Sequence, residues 1–239
     1  MDDTDPFTAP HRISTASRPL LGLTILVVED SRFACEAMRL LCLRSGARIR
    51  RADCLKSARR HLKVYRPTVV IADLGLPDGS GVELIEELTK ASPRVPVILG
   101  TSGDDFAEDA AIAAGADGFL AKPVTSLAVF QDAILSRLPA DQRPLGPRVV
   151  SDEVIEPDPI AYQDDMAHVA DVLSEQAGGQ TLDYVAQFVG GVARSAHDTI
   201  LEQAAAALAE ARKSGGPVAS DTARIAGLVQ ERLEQKRAI

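Results

Sequence analysis

Short apolar runs recur through the first half of this chain, each followed by a stretch with apolar residues at helical spacing. Residues 23–28, 47–51 (the weakest), 68–72, 95–100 and 117–121 read as strands. Residues 32–44, 53–65, 81–90, 104–114 and 126–138 read as amphipathic helices, the second of them with Asp53 as its N-cap. Most of the strand runs are continuously apolar rather than alternating, as in strands buried on both faces. Five β–α units in about 118 residues predict an α/β fold, a doubly wound five-stranded parallel sheet with helices on both faces. Right-handed crossovers bring the carboxyl ends of the strands to one rim, where open sheets of this kind bind ligands.

What stands at those ends is chemically coherent. Glu29-Asp30 follows the first run, Asp73 the third, Thr101-Ser102 the fourth and Lys122-Pro123 the fifth. Three neighbouring carboxylates repel one another and stay ionised together most easily around a divalent cation. Hard oxygen ligands with room for water and phosphate suit Mg²⁺. Asp30 and Asp73 are the expected direct ligands, with Glu29 acting through water and the Gly75 backbone carbonyl adding a third protein ligand. Asp73 is the expected phosphoryl acceptor, Lys122 the partner of its carboxylate, and Thr101 a hydroxyl donor to a phosphoryl oxygen.

In these pieces the chain resembles the receiver domain of bacterial response regulators, a flavodoxin-like fold. LTILVVEDS carries the acid pair, VVIADLGLPDGSG the phosphoacceptor, VPVILGTS the hydroxyl and GADGFLAKPV the lysine, in register over residues 21–138. The resemblance implies phosphoacceptor Asp73, metal site Glu29 and Asp30, switch residues Thr101 and Phe119, phosphate-binding Lys122 and a cis peptide at Lys122-Pro123. It also implies a phosphoacceptor signalling protein in a phosphorelay rather than an enzyme. The donor would be a sensor histidine kinase or a histidine phosphotransfer protein. The switched face would be the fourth helix, fifth strand and fifth helix, read by the helical region that follows. The chain departs from the usual pattern in having Phe119 in place of tyrosine, Ser102 where alanine is common, and glycine at 75 and 103. Bare glycines there leave no side chain to orient a hydrolytic water, so Gly75→Asn is expected to change the lifetime of the phosphorylated protein. A haloacid-dehalogenase-type phosphatase is disfavoured, because Gly75 stands where it needs a second Asp.

The remaining chain divides by composition. Residues 1–20 read as a flexible lead-in, 21–138 as the receiver, 139–157 as a proline-bearing linker and 158–239 as a small all-α output or dimerisation domain. Asp158-Pro159 starts a helix ended by Gly178-Gly179. Thr181 is expected to cap one long helix to about Lys213, and a last helix spans 220–236. The stripe Val185, Val189, Val192, Ala196, Ile200, Ala204 and Leu208 predicts a homodimer or protein partner. His168 and His197 fall on these helices, and a phosphotransfer histidine would make the chain a relay intermediate, although neither sits in a recognisable phosphotransfer motif. From Arg148 onward there are 8 Lys and Arg against 15 Asp and Glu. That balance speaks against nucleic-acid binding, and so against a transcription factor. No run is long enough to span a membrane, the N-terminus has no secretory pattern, and Cys35, Cys42 and Cys54 lack metal-ligand spacing. Together these point to the cytoplasm.

Overall fold

The computed structural model describes residues 14–104, 106–143, 149–175 and 178–235. Residues 1–13 of the expected lead-in, the linker prolines Pro144 and Pro147, and Lys236 lie outside the described residues. In chain order the first half forms β1 (Thr24–Val28), α1 (Arg32–Ser45), β2 (Arg48–Ala52), α2 (Leu55–Val64) and β3 (Val69–Asp73). A two-residue pair follows, β4 (Gly75–Leu76) with β5 (Gly79–Ser80). Then come α3 (Gly81–Lys90), β6 (Val97–Ser102), α4 (Ala107–Ala113), β7 (Gly118–Ala121) and α5 (Leu127–Leu135). The main sheet has the order β2-β1-β3-β6-β7, parallel throughout. Strand order reverses between β1 and β3, which opens a crevice at their carboxyl ends.

Alternation sends successive side chains to opposite faces. Ile25, Val27, Val69, Ile71, Val97 and Leu99 pack on Met38 and Leu41 of α1 and on Phe130 and Ile134 of α5. Leu26, Val28, Val70, Ala72 and Ile98 pack on Leu55, Leu84, Ile85 and Ala111 beneath α2, α3 and α4. The edge strand β2, Arg-Ile-Arg-Arg-Ala, keeps its charges outward, which discourages pairing with another sheet. Leu20, at the end of the expected lead-in, is fully buried in the first of these cores, and Ile155 from the linker is buried in it too.

Local capping differs in places from the sequence reading. Asp53 does not cap α2; its N-cap is Cys54, and the Asp78 carboxylate accepts from the backbone N–H groups of Leu55 and Lys56 instead. Ser31 caps α1, accepting from Ala34 N–H. The first helix after the linker, α6 (Pro159–Ser174), does start on the Asp158 cap.

The expected long helix from Thr181 to Lys213 is two helices, α7 (Gly179–Ser195) and α8 (Thr199–Ser214). Thr181 lies inside α7, whose N-cap is Gly178. The chain reverses at Ala196-His197-Asp198, with His197 at φ 57° and Asp198 accepting from Leu201 N–H to start α8. With α9 (Ala219–Gln235), these helices bury Met166, Val169, Val189, Val192, Leu208 and Ile225 in one core. Most of the apolar stripe that suggested a dimer is therefore covered from within; Ile200 remains exposed.

The bundle does not rest mainly on α4, β7 and α5, the face expected to receive it. Its α6 and α7 pack on α1, and α7 also meets β4. That places the bundle over the strand-end rim, because α1 and β4 both begin there.

Candidate phosphorylation site

Asp73 is the last residue of β3 and is buried, in register with Thr101 of β6. Its Oδ1 accepts from Gly75 N–H at 3.2 Å, which folds the following loop back over the strand end. The loop is tight enough that a Cβ on Gly81 would collide with the Asp73 carbonyl oxygen. A glycine there is required by close approach rather than by backbone torsion.

Lys122 follows β7, before a cis peptide to Pro123. Its Nζ lies 2.7 Å from Asp73 Oδ2 and 2.6 Å from Glu29 Oε2, with all three side chains nearly excluded from solvent. Burial disfavours the ammonium, but the charges of Asp73 and Glu29 outweigh it and hold Lys122 above its ordinary range. Glu29 is driven well above the usual carboxylate range by burial, against the pull of Lys122, and it also accepts from Ser31 N–H at 3.1 Å. Burial, with the charge of Asp73, pushes Asp30 up to about 7.

Carboxylate oxygens of Glu29, Asp30 and Asp73 lie within 4.8 Å of one another. One ammonium faces three acids, so the cluster has more negative potential than its own residues neutralise. Hard carboxylates converging without nitrogen or sulfur fit Mg²⁺ better than softer metals. Asp30, Asp73 and Glu29 would hold it, with the Gly75 carbonyl in the adjoining loop.

Thr101 is fully buried, and its hydroxyl donates to the Leu120 carbonyl at 2.7 Å. The hydroxyl is thus spent on β7 and does not cap the next helix. Phe119 is half-buried, pairs in register with Gly100 and packs close to it. Ser102 accepts from Asp104 N–H and stabilises the loop entering α4.

Several residues at this rim escaped the sequence reading, and all come from the bundle. The hydroxyl of Tyr184, on α7, donates to Asp30 Oδ2 at 2.7 Å. Asp165, on α6 and buried, accepts from Ser31 Oγ at 2.7 Å, Arg32 N–H at 2.7 Å and Phe33 N–H at 3.1 Å. An acid at a helix N-terminus meets unpaired donors and the positive end of the dipole, so α6 completes the cap of α1. Asp164 pairs with the Arg32 side chain at 2.9 Å. Gln187 of α7 occupies the space where a Gly75 side chain would stand, and Arg194 lies 3.4 Å from where a Gly103 Cβ would be. The two glycines that seemed to leave the rim bare are where α7 approaches it. His168 stands behind Tyr184, its Nε2 3.2 Å from that hydroxyl, whereas His197 is exposed at the α7–α8 reversal.

Residues 25–134 match the family described as the response regulator receiver domain. This segment is a receiver domain. Curated relatives align over the same part of the chain. The KDP operon transcriptional regulatory protein KdpE of Escherichia coli (strain K12) is 33% identical over 41% of this chain and 44% of its own length. The probable transcriptional regulatory protein TcrX of Mycobacterium tuberculosis is 35% identical over 42% of this chain and 44% of its own. This chain therefore spans less than half the length of these relatives. Among solved structures, a CheY-like receiver domain protein from Methanospirillum hungatei JF-1 covers 50% of this chain and 95% of its own, with 23% identity and a TM-score of 0.45. The helical bundle lies beyond the matched residues. Among the described residues, no helix is long and apolar enough to cross a membrane.

Proposed function

We propose that this protein is the response regulator of a two-component phosphorelay, taking a phosphoryl group on Asp73 and transmitting its presence to the helical bundle. The observation that carries this reading is the ion pair of Asp73 and Lys122 at 2.7 Å beside the carboxylates of Glu29 and Asp30. An Asp73 oxygen attacks phosphorus of a phosphohistidine. The N–P bond breaks, the histidine nitrogen keeps the electron pair, and an acyl phosphate forms. Lys122, already charged and in place, then pairs with phosphoryl oxygens as the Asp73 carboxylate loses its charge to the new P–O bond. Mg²⁺, when bound by the acid cluster, supplies charge neutralisation for the incoming group.

Thr101 is the switch in this reading. Phosphorylation adds nearly two negative charges and strong acceptors, and the Thr101 hydroxyl gains a partner better than the Leu120 carbonyl. Its rotation loosens the link to β7 beside Phe119, biasing a two-state element. The protein is a phosphoacceptor and not an enzyme acting on a separate substrate. Its donor is a sensor histidine kinase or a histidine phosphotransfer protein, and its place is the cytoplasm, in keeping with its unpaired cysteines. The output is a protein contact made by the bundle rather than a DNA contact, because the bundle's charge opposes a phosphate backbone. With the apolar stripe largely internal, a heterologous protein partner is favoured over self-association.

A relay role is a second reading, favoured by one observation: His168 faces the receiver rim behind Tyr184. It predicts acid-labile, base-stable phosphate on the protein.

Incubation with acetyl phosphate and Mg²⁺, followed by intact-mass measurement, tests the leading reading. One phosphoryl group is expected on the wild type and none on Asp73→Asn. Equal labelling of both would overturn it.

A further inference from the structure

The bundle meets the receiver at the place where phosphorylation would occur, and it does so with polar side chains that are specific to that place. Tyr184 donates to Oδ2 of Asp30, a member of the acid cluster that would hold the cation. Gln187 fills the open side of Gly75, next to the phosphoacceptor. Asp165 puts a negative charge into the N-terminus of α1, immediately after the acid pair, through three hydrogen bonds. Phe188 and Val192 of α7 line the cavity beside Asp73 and Lys122 and are themselves buried.

The room left decides what this means. The cavity bounded by Asp73, Lys122, Ser102, Gln187 and Val192 measures about 20 Å³. A water needs roughly 10–15 Å³, so this cavity beside Asp73 holds about one, while Glu29 and Asp30 also face a wider cleft of about 790 Å³ on the side of Asp165 and Tyr184. A phosphoryl group with a hydrated cation needs several times the room of one water.

We infer that α6 and α7 are an internal competitor for the phosphorylation rim: docked, they occupy it, and a phosphoryl group on Asp73 displaces them. This rests on the reading of Asp73 as phosphoacceptor and states how the bundle is controlled. Coupling of this kind is reciprocal. Docking resists phosphorylation by the same factor by which phosphorylation resists docking. The released state differs from the docked one at identifiable groups. Ser31, Arg32 and Phe33 lose the Asp165 cap, and Asp30 loses the Tyr184 hydroxyl.

The test uses the full chain in four forms: wild type, Asp73→Asn, the double variant Tyr184→Phe with Gln187→Ala, and Asp165→Asn. Each is treated with acetyl phosphate and Mg²⁺ while intact mass gives the phosphorylation rate. Hydrogen exchange of the α1 N-terminus and of α6–α7 is followed in parallel. The double variant and Asp165→Asn weaken the seam without removing apolar side chains from the bundle core, and each is expected to gain the phosphoryl group about 5-fold or more faster than wild type, because the rim is open for a larger fraction of the time. Wild-type amides at Arg32 and Phe33 are expected to lose protection on phosphorylation, while Asp73→Asn keeps it. Equal rates in wild type and seam variants, with exchange unchanged by phosphorylation, would overturn the competition but leave Asp73 as acceptor. Absence of phosphoryl on Asp73 in every form would overturn both. The double variant and Asp165→Asn are independent lesions, so misfolding of one leaves the other decisive.

Discussion

Gly81 is the residue on which the geometry of Asp73 depends most directly. It has no side chain because the Asp73 carbonyl lies where its Cβ would be. Gly81→Ala forces that loop outward and is expected to lower stability by about 1–3 kcal/mol, the usual cost of overpacking. It should also slow phosphorylation, since Asp73 and Lys122 would separate. Thermal unfolding with the acetyl-phosphate assay checks both effects, and wild-type values in both would show that the loop has slack. That Asp73, Lys122, Thr101 and the acid pair converge was legible because each stands at the end of an apolar run, where topology alone collects them. Gln187, Tyr184 and Asp165 were not legible. An acid or a glutamine on an amphipathic helix carries no local mark of what it will touch, and these three act through contacts with residues 112 to 154 positions away in sequence. Gly75 was read as an open position on the same incomplete information. A side chain at Gly75 has to displace the Gln187 amide, the flexible end of an exposed side chain, so a changed phosphoryl lifetime in Gly75→Asn would report that contact as well as water.

At the scale of elements, strands and the helices of the first half followed their periodicity, but the α7–α8 reversal did not declare itself. The apolar stripe runs through it almost unbroken, with no glycine or proline at Ala196-His197-Asp198. The readable signal was Asp198 as an N-cap. Its carboxylate accepts from Leu201 N–H and from the Tyr162 hydroxyl, and pairs with Arg232 at 2.7 Å, tying α6, α8 and α9 together. Burial raises the pKa of Asp198, but Arg232 and these hydrogen bonds outweigh it and hold the group below its ordinary value. A carboxylate depressed in the folded state stabilises fully above its unfolded pKa of about 3.9, and that contribution fades as pH falls through the folded value. Asp198→Asn is therefore expected to cost about 1.5–3 kcal/mol near neutrality, as for a lost hydrogen bond to a charged group. The gap from wild type should narrow below about pH 4. Urea unfolding at a series of pH values measures it, and a gap that persists unchanged to pH 3 would assign the stabilisation to something other than the charge.

For the molecule as a whole, the receiver and the bundle were each readable as units, while their mutual arrangement was not. Helical periodicity shows which face is apolar, not which surface will cover the polar one. The expected seat on α4, β7 and α5 came from resemblance, and the actual seat on α1 and β4 follows from the Asp165 cap and the Gly75 gap. Ile155 is fixed in the receiver core, and α6 begins at Pro159. Full extension of the residues between them spans only about 14 Å. A leash this short keeps the bundle at an effective concentration in the millimolar range or above, near its own receiver. Inserting a flexible Gly-Ser stretch after Glu156 should lower that concentration and speed phosphorylation, and an unchanged rate would show that the leash is immaterial. If the leash does govern docking, the set-point of the switch is written into each molecule separately, and a cell could make few copies or many without altering how readily any one of them fires.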